Sequence, residues 1–142
     1  MITSDKQLAT SKKQLLTLQE ALIADMKKNI PDRVKEVSKA QLRSLIGDVE
    51  AEINEYETLK SIELKDIEIH SIQDLMVTPI RYRIASHMSV DAFSRKVGVS
   101  VRQIHRYEAE NYSNANTSTL TKILEKLDVN LDGSITETAA IS

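Results

Sequence analysis

The sequence predicts an all-α protein, with an N-terminal helical hairpin of coiled-coil-like spacing followed by a four- to five-helix domain. Three observations carry that expectation. Only three glycines (Gly47, Gly98, Gly133) and two prolines (Pro31, Pro79) interrupt 142 residues, so few positions break a helix. Aromatic residues make up 4% of the chain and β-branched clusters are short, which disfavours sheet. Apolar residues recur over most of the chain at intervals of three, four and seven, the period of one helix face.

Ser4 opens the first helix, and Gln7 three residues later completes a capping box. Leu8, Leu15, Leu18, Leu22 and Met26 then share one face. Lys27 and Lys28 suit a helix C-terminus, where cations meet the negative end of the macrodipole. Pro31 ends the helix because it disfavours a helical Ile30. The second helix starts at the Ser38–Gln41 capping box or just after Pro31. Its seam is Leu42, Leu45, Ile46, Val49, Ile53, Tyr56 and Leu59, close to a heptad. Asp48, Glu50, Glu52, Glu55 and Glu57 spread around this helix as a solvated face instead of converging on a metal or catalytic cluster. Gly47 costs the helix about 1 kcal/mol relative to alanine, which a close helix crossing would explain. Two helices with one narrow seam each predict an antiparallel hairpin that packs on itself and on a second subunit.

Residues 61–77 form a linker. Ile62-Glu-Leu64 and Ile67-Glu-Ile69 alternate with period two, the pattern of a short strand or hairpin. From residue 78 the helical period returns. Thr78 caps a helix with Pro79 in its first position and Ile80, Ile84 and Ala85 lining one face up to Met88. Ser89 caps a helix to Lys96, and Ser100 caps another from Val101 to about Ala109. Asn116 or Thr117 caps a last helix containing Leu120, Ile123, Leu124 and Leu127, with Val129 and Leu131 closing the core. Residues 132–142 carry no pattern and read as a flexible tail.

The formal charge of −2 hides an asymmetry. Between Pro79 and Tyr107, six cations (Arg81, Arg83, Arg95, Lys96, Arg102, Arg106) face Asp91 alone, a local charge of +5. The remainder therefore carries −7, so a polyanion is attracted to one segment and repelled by the other. The absence of cysteine removes disulfides and thiolate metal sites. His70, His87 and His105 are too widely spaced for a zinc site. Isolated glycines allow no phosphate loop or dinucleotide fingerprint, and no Ser-His-Asp or Cys-His set is present. The expectation is therefore no enzyme, no cofactor and no metal. No run approaches the roughly 18 apolar residues of a membrane span, and the opening MITSDKQLATSKKQ has no signal-peptide core. This predicts a soluble cytoplasmic protein.

Around Gly98 the pattern meets the requirement of two helices crossing at a tight turn. Phe93, Val97, Val99, Ile104 and Tyr107 are apolar, Ser94 is small at the closest approach, and Gly98 accepts a positive φ. The stretch MSVDAFSRKVGVSVRQIHRYEAE, with the later LTKILEKLDVNL, resembles the lambda-repressor-like domain of the Xre/Cro family of bacterial and phage repressors. The resemblance covers residues 78–131 and implies a DNA-binding domain that acts as a dimer on a double-stranded operator. It implies that Val101, Arg102 and Arg106 reach base edges, with Gln103 and His105 beside them as candidates for base or phosphate contact. Arginine suits guanine O6 and N7, and valine a thymine methyl. Ser89 and Ser100 are implied as phosphate anchors, and Arg83 with Glu108 as an ion pair joining two helices. Three departures affect contacts and leave the fold alone. Val90 stands in place of the usual glutamine and Ser94 in place of alanine. The loop after Glu108 is a residue longer, with Asn111 the expected left-handed residue. The N-terminal half resembles helical segments preceding such domains in antitoxin-like regulators, which implies a toxin as an alternative partner. The predicted organisation is a dimerising or partner-binding hairpin (1–60), linker (61–77), DNA-binding domain (78–131) and tail (132–142).

Overall fold

The computed structural model describes residues 1–24 and 26–138, with Asp66 represented by its backbone alone. The regular structure of the described residues is helical throughout. In order it comprises α1 (Asp5–Ile23), α2 (Asp32–Ser61), a 3-10 turn (Leu64–Asp66), α3 (Ile72–Met76), α4 (Thr78–Ala85), α5 (Val90–Val97), α6 (Val101–Ala109) and α7 (Thr117–Leu127).

The Ser4 hydroxyl accepts the Gln7 N–H at 3.2 Å, as the capping pattern predicts. The Gln7 amide oxygen reaches one residue further back than expected and accepts the Thr3 N–H at 2.8 Å. Helix α1 stops at Ile23, short of Lys28. Ala24 is extended, its N–H making the last bond to Glu20, and Lys27–Ile30 close a separate turn through a 3.1 Å bond. Met26, Lys27 and Lys28 therefore lie outside the helix. Helix α2 begins directly after Pro31, so Ser38 lies within the helix and caps nothing. A Cβ on Gly47 would meet nothing within 4 Å, so no close crossing accounts for this glycine.

The seam between α1 and α2 is only half closed. Helix α1 has no fully buried residue, and α2 buries only Ile53, Tyr56 and Leu59, all near its C-terminal end. There the hairpin base joins the domain. Ile2, Ile53, Tyr56 and Leu59 share one core with Ile80, Phe93, Ile104, Tyr112 and Ile123. Polar contacts lock the same end. Tyr56 Oη donates to Asp5 Oδ1 at 2.7 Å, and Lys60 Nζ donates to the same oxygen at 3.1 Å. The Tyr56 phenol is pushed up to about 12, chiefly by burial and then by its bond to Asp5. The hydrogen bonds from Tyr56 and Lys60 hold the Asp5 carboxyl below its usual range.

The linker contains no strand among the described residues, which corrects the alternation read at 62–69. The chain instead makes a 3-10 turn and then α3, capped by Ser71 Oγ accepting the Asp74 N–H at 3.0 Å. Asp74 in turn accepts the His70 N–H at 2.9 Å and binds Arg81 Nη2 at 3.2 Å. The His70 bond chiefly lowers the Asp74 pKa.

Four short helices complete the fold, and each ends on a left-handed residue: His87, Gly98, Asn111 and Asp128. Helix α4 starts at Thr78, with Val77 as the cap residue and Pro79 second, one position later than expected. It ends at Ala85, and the Met88 N–H turns back to the Arg83 carbonyl at 3.0 Å. Asn116 caps α7, its Oδ1 accepting the Thr119 N–H at 2.7 Å. Ile80, Phe93, Ile104 and Tyr112 have no exposed surface at all. Val129 packs against this core, whereas Leu131 is 44% exposed and does not close it. Of the tail, Ile135 is fully exposed and residues 139–142 lie outside the described residues.

Candidate nucleic-acid interface

Helices α5 and α6 are built as a crossing pair. The Ser89 and Ser100 hydroxyls accept the N–H groups of Ala92 and Gln103, at 3.1 and 3.2 Å, and so start the two helices. Gly98 joins them at φ 72°, where a side chain would be strained. Ser94 is buried at the crossing, and its hydroxyl donates to the Val99 carbonyl across the turn. Phe93, Val97, Ile104 and Tyr107 are buried beneath, and Val99 packs against them.

The back of α6 is fixed by a buried ion pair. Arg83 Nε and Nη2 donate to Glu108 Oε2 and Oε1 at 2.7 and 2.8 Å, with both side chains 7% exposed. The parallel two-bond geometry offsets the desolvation that burying two charges requires. Arg83 has further partners: Nη1 donates to the Met88 carbonyl at 3.1 Å and Nη2 to the Thr3 carbonyl at 2.7 Å. One guanidinium thus connects α4, α6, the turn before α5 and the segment before α1. The Thr3 bond links residues 80 apart and leaves no local trace in the sequence.

With that side buried, α6 turns Arg102 and Arg106 outward together, one helical turn apart. Neither forms an ion pair or a side-chain hydrogen bond among the described residues. Val101 and Gln103 are half-buried, and Ser89 and Ser100 are exposed with hydroxyl protons still available to a phosphate. Ser100, Val101, Arg102, Gln103 and Arg106 follow one another at the start and along the length of α6, and Ser89 stands at the start of α5, where it lines one cleft together with His105. His105 is exposed, and that cleft, of about 420 Å³, is also lined by Thr3, Asp5, Gln7, Lys60 and His87.

The basic segment is less available than its charge suggests. Arg83 is consumed by Glu108 and Arg81 by Asp74, so both are structural. Lys96 lies against Tyr82, donating to its hydroxyl at 2.9 Å with Nζ 5.3 Å from the ring centre. Arg95, Arg102 and Arg106 remain exposed. Asn114 was not singled out by sequence; its amide donates to the Arg106 carbonyl at 3.3 Å and holds the following loop against the end of α6. A single asparagine in a polar loop gives no signal for that role.

No curated protein and no solved structure matches the chain. Residues 80–133 match the model of a family described as Helix-turn-helix, and this segment is an Xre/lambda-repressor-like helix-turn-helix domain of DNA-binding transcription regulators.

Proposed function

We propose that the protein is a sequence-specific transcriptional repressor that binds its operator as a dimer through the hairpin. The observation that carries this reading is the unpartnered Arg102–Arg106 face of α6, held in place from behind by a buried ion pair. Arg102 and Arg106 read guanine edges, Val101 packs on a thymine methyl, and Gln103 and His105 contact neighbouring bases or phosphates. Ser89 and Ser100 anchor the backbone. One such helix spans only a few base pairs, so two must enter major grooves one turn of about 34 Å, or a multiple, apart. The −7 charge outside the motif keeps the rest of the chain off the phosphates.

Support for dimerisation comes from the hairpin, where Leu16, Ile23, Val34, Val37 and Leu45 are each at least half exposed. The same side chains support a second reading, an antitoxin whose hairpin binds and neutralises a toxin while the domain regulates their operon. Co-purification of the product of an adjacent small reading frame favours that reading. For DNA recognition, Arg102→Ala and Arg106→Ala are each expected to lose about 1–3 kcal/mol of operator affinity, with helicity unchanged. Fluorescence anisotropy with the protein's own promoter measures it. Unchanged affinity and sequence preference in both variants overturn the assignment.

A further inference from the structure

One face of α2 is left open beyond the reach of the domain. Val34, Val37 and Leu45, with Gln41 between them, follow at intervals of three and four, and the three apolar residues are 50–52% exposed. Toward the hairpin base the same face continues through Asp48 and Glu52, both exposed. At the opposite end, beside Val34, the tip carries Lys27, Lys28 and Arg33 against Asp32, all exposed. The face is therefore apolar in its middle, basic at one end and acidic at the other.

We propose that this face binds a second copy of the chain in antiparallel orientation, with Gln41 at the two-fold axis. The proposal rests on the dimeric reading above and specifies its geometry. In this register Val37 packs on the partner's Leu45, and Val34 lies beside the partner's Asp48. That carboxylate then meets Arg33, and the partner's Glu52 comes level with Lys28. A parallel pair instead presses Asp48 and Glu52 each onto its own copy and brings two basic tips together, which opposes association. A second complementarity falls in the same register. Next to Glu55 a cavity of about 640 Å³ has an apolar floor of Ile72, Met76 and Val77 and a rim of Glu55, Asp74 and Glu110, of which Asp74 and Glu55 already share Arg81 at 3.2 and 3.9 Å and Glu110 has no ion pair among the described residues. The antiparallel register carries the partner's Lys27–Ile30 turn to that level. The turn offers two lysines to the rim and Ile30 to the floor.

This arrangement sets the DNA-reading domains at opposite ends of the paired hairpins. Gln41 and Ser61 are 20 residues apart on α2, about 30 Å at the helical rise, so the domains attach about 60 Å apart. Half-sites spaced by about two turns of DNA, rather than one, follow from that length.

The chain has no cysteine, so each introduced thiol reports one position. In the full-length protein, Gln41→Cys is expected to give a disulfide-linked dimer on mild oxidation. Val34→Cys alone should not, because its two copies lie about 21 Å apart along the bundle. Mixing Val34→Cys with Asp48→Cys should restore the cross-link. The Val37→Asp/Leu45→Asp double variant should sediment as a monomer with its circular dichroism unchanged. A monomeric parent protein, no cross-link through Gln41→Cys, or self-cross-linking of Val34→Cys and Leu45→Cys equal to that of Gln41→Cys overturns the proposal. Binding of a half-site by the monomer is scored separately, so failure of this interface and failure of the Arg102–Arg106 surface are distinguishable.

Discussion

The 19 residues of α1 bury no side chain fully, whereas the eight residues of α5 bury three. Helices of eight to eleven residues are marginal in isolation, and those of the domain owe their order to the core beneath them and to caps at both ends. The hairpin depends on length, local helical bonds and a half-closed seam, and it keeps apolar surface in reserve. Burial is thus concentrated around α5 and α6, and exposed apolar surface on the hairpin.

The largest test of that contrast is Arg83→Ala. Removing the guanidinium leaves Glu108 charged, buried and unpaired, with an expected loss of about 3–5 kcal/mol in urea unfolding. A loss below 1 kcal/mol would mean that the ion pair is not the clamp described. Phe93→Ala, in the fully buried core, should cost about 3–5 kcal/mol. Leu18→Ala, in the half-buried seam, should cost distinctly less by the same denaturation; equal losses would erase the distinction between the regions. The glycines give an opposed pair. Gly98→Ala places a side chain at φ 72° and should destabilise by about 1–2 kcal/mol. Gly47→Ala adds a methyl in open space inside a helix and should stabilise by up to about 1 kcal/mol, read as a higher melting temperature.

The smallest effect is on pH dependence. Asp5 is depressed in the folded chain, so its contribution is present above its ordinary value of 3.8 and is lost as pH falls through the lower folded value. Tyr56 is raised to about 12 from 10.0, so its contribution is complete below 10 and disappears as pH climbs toward 12. Tyr56→Phe should soften both transitions, followed by circular dichroism, with an alkaline component remaining because burial also raises Tyr112.

The domain was legible because its determinants are local. Ser89, Ser100 and Asn116 cap helices within a few residues of themselves, and Gly98 and Asn111 take the positive φ their turns require; the Arg83–Glu108 pair, 25 residues apart, was implied by the family resemblance alone. The hairpin was legible in type but not in its limits. Lys27 and Lys28 would suit any helix end, yet Ala24 is already extended, and the Ser38–Gln41 pattern is overridden by a start at Pro31. Alternation over eight residues at 62–69 fits a strand, but the described residues hold no strand to pair with it. The joint between hairpin and domain could not be read at all. The burial of Ile2, the Thr3 bond to Arg83 and the Asp5 bonds to Tyr56 and Lys60 span 51 to 80 residues, where sequence spacing carries no signal.

That joint also sets an order of events during synthesis. Residues 2–5 leave the ribosome before α2, and Arg83 and Glu108 are made long afterwards. The hairpin can zip locally as soon as α2 emerges, and the short helices gather once α7 is complete. Thr3 can be fastened only after both, and closing so long a loop costs entropy that grows slowly with its length. Until then, the Ile2 seat in the core stays open and the hairpin hangs loose. A nascent chain stalled before Glu108 therefore presents a formed hairpin while α6 is still incomplete, so the exposed apolar surface of the hairpin precedes the clamp on α6.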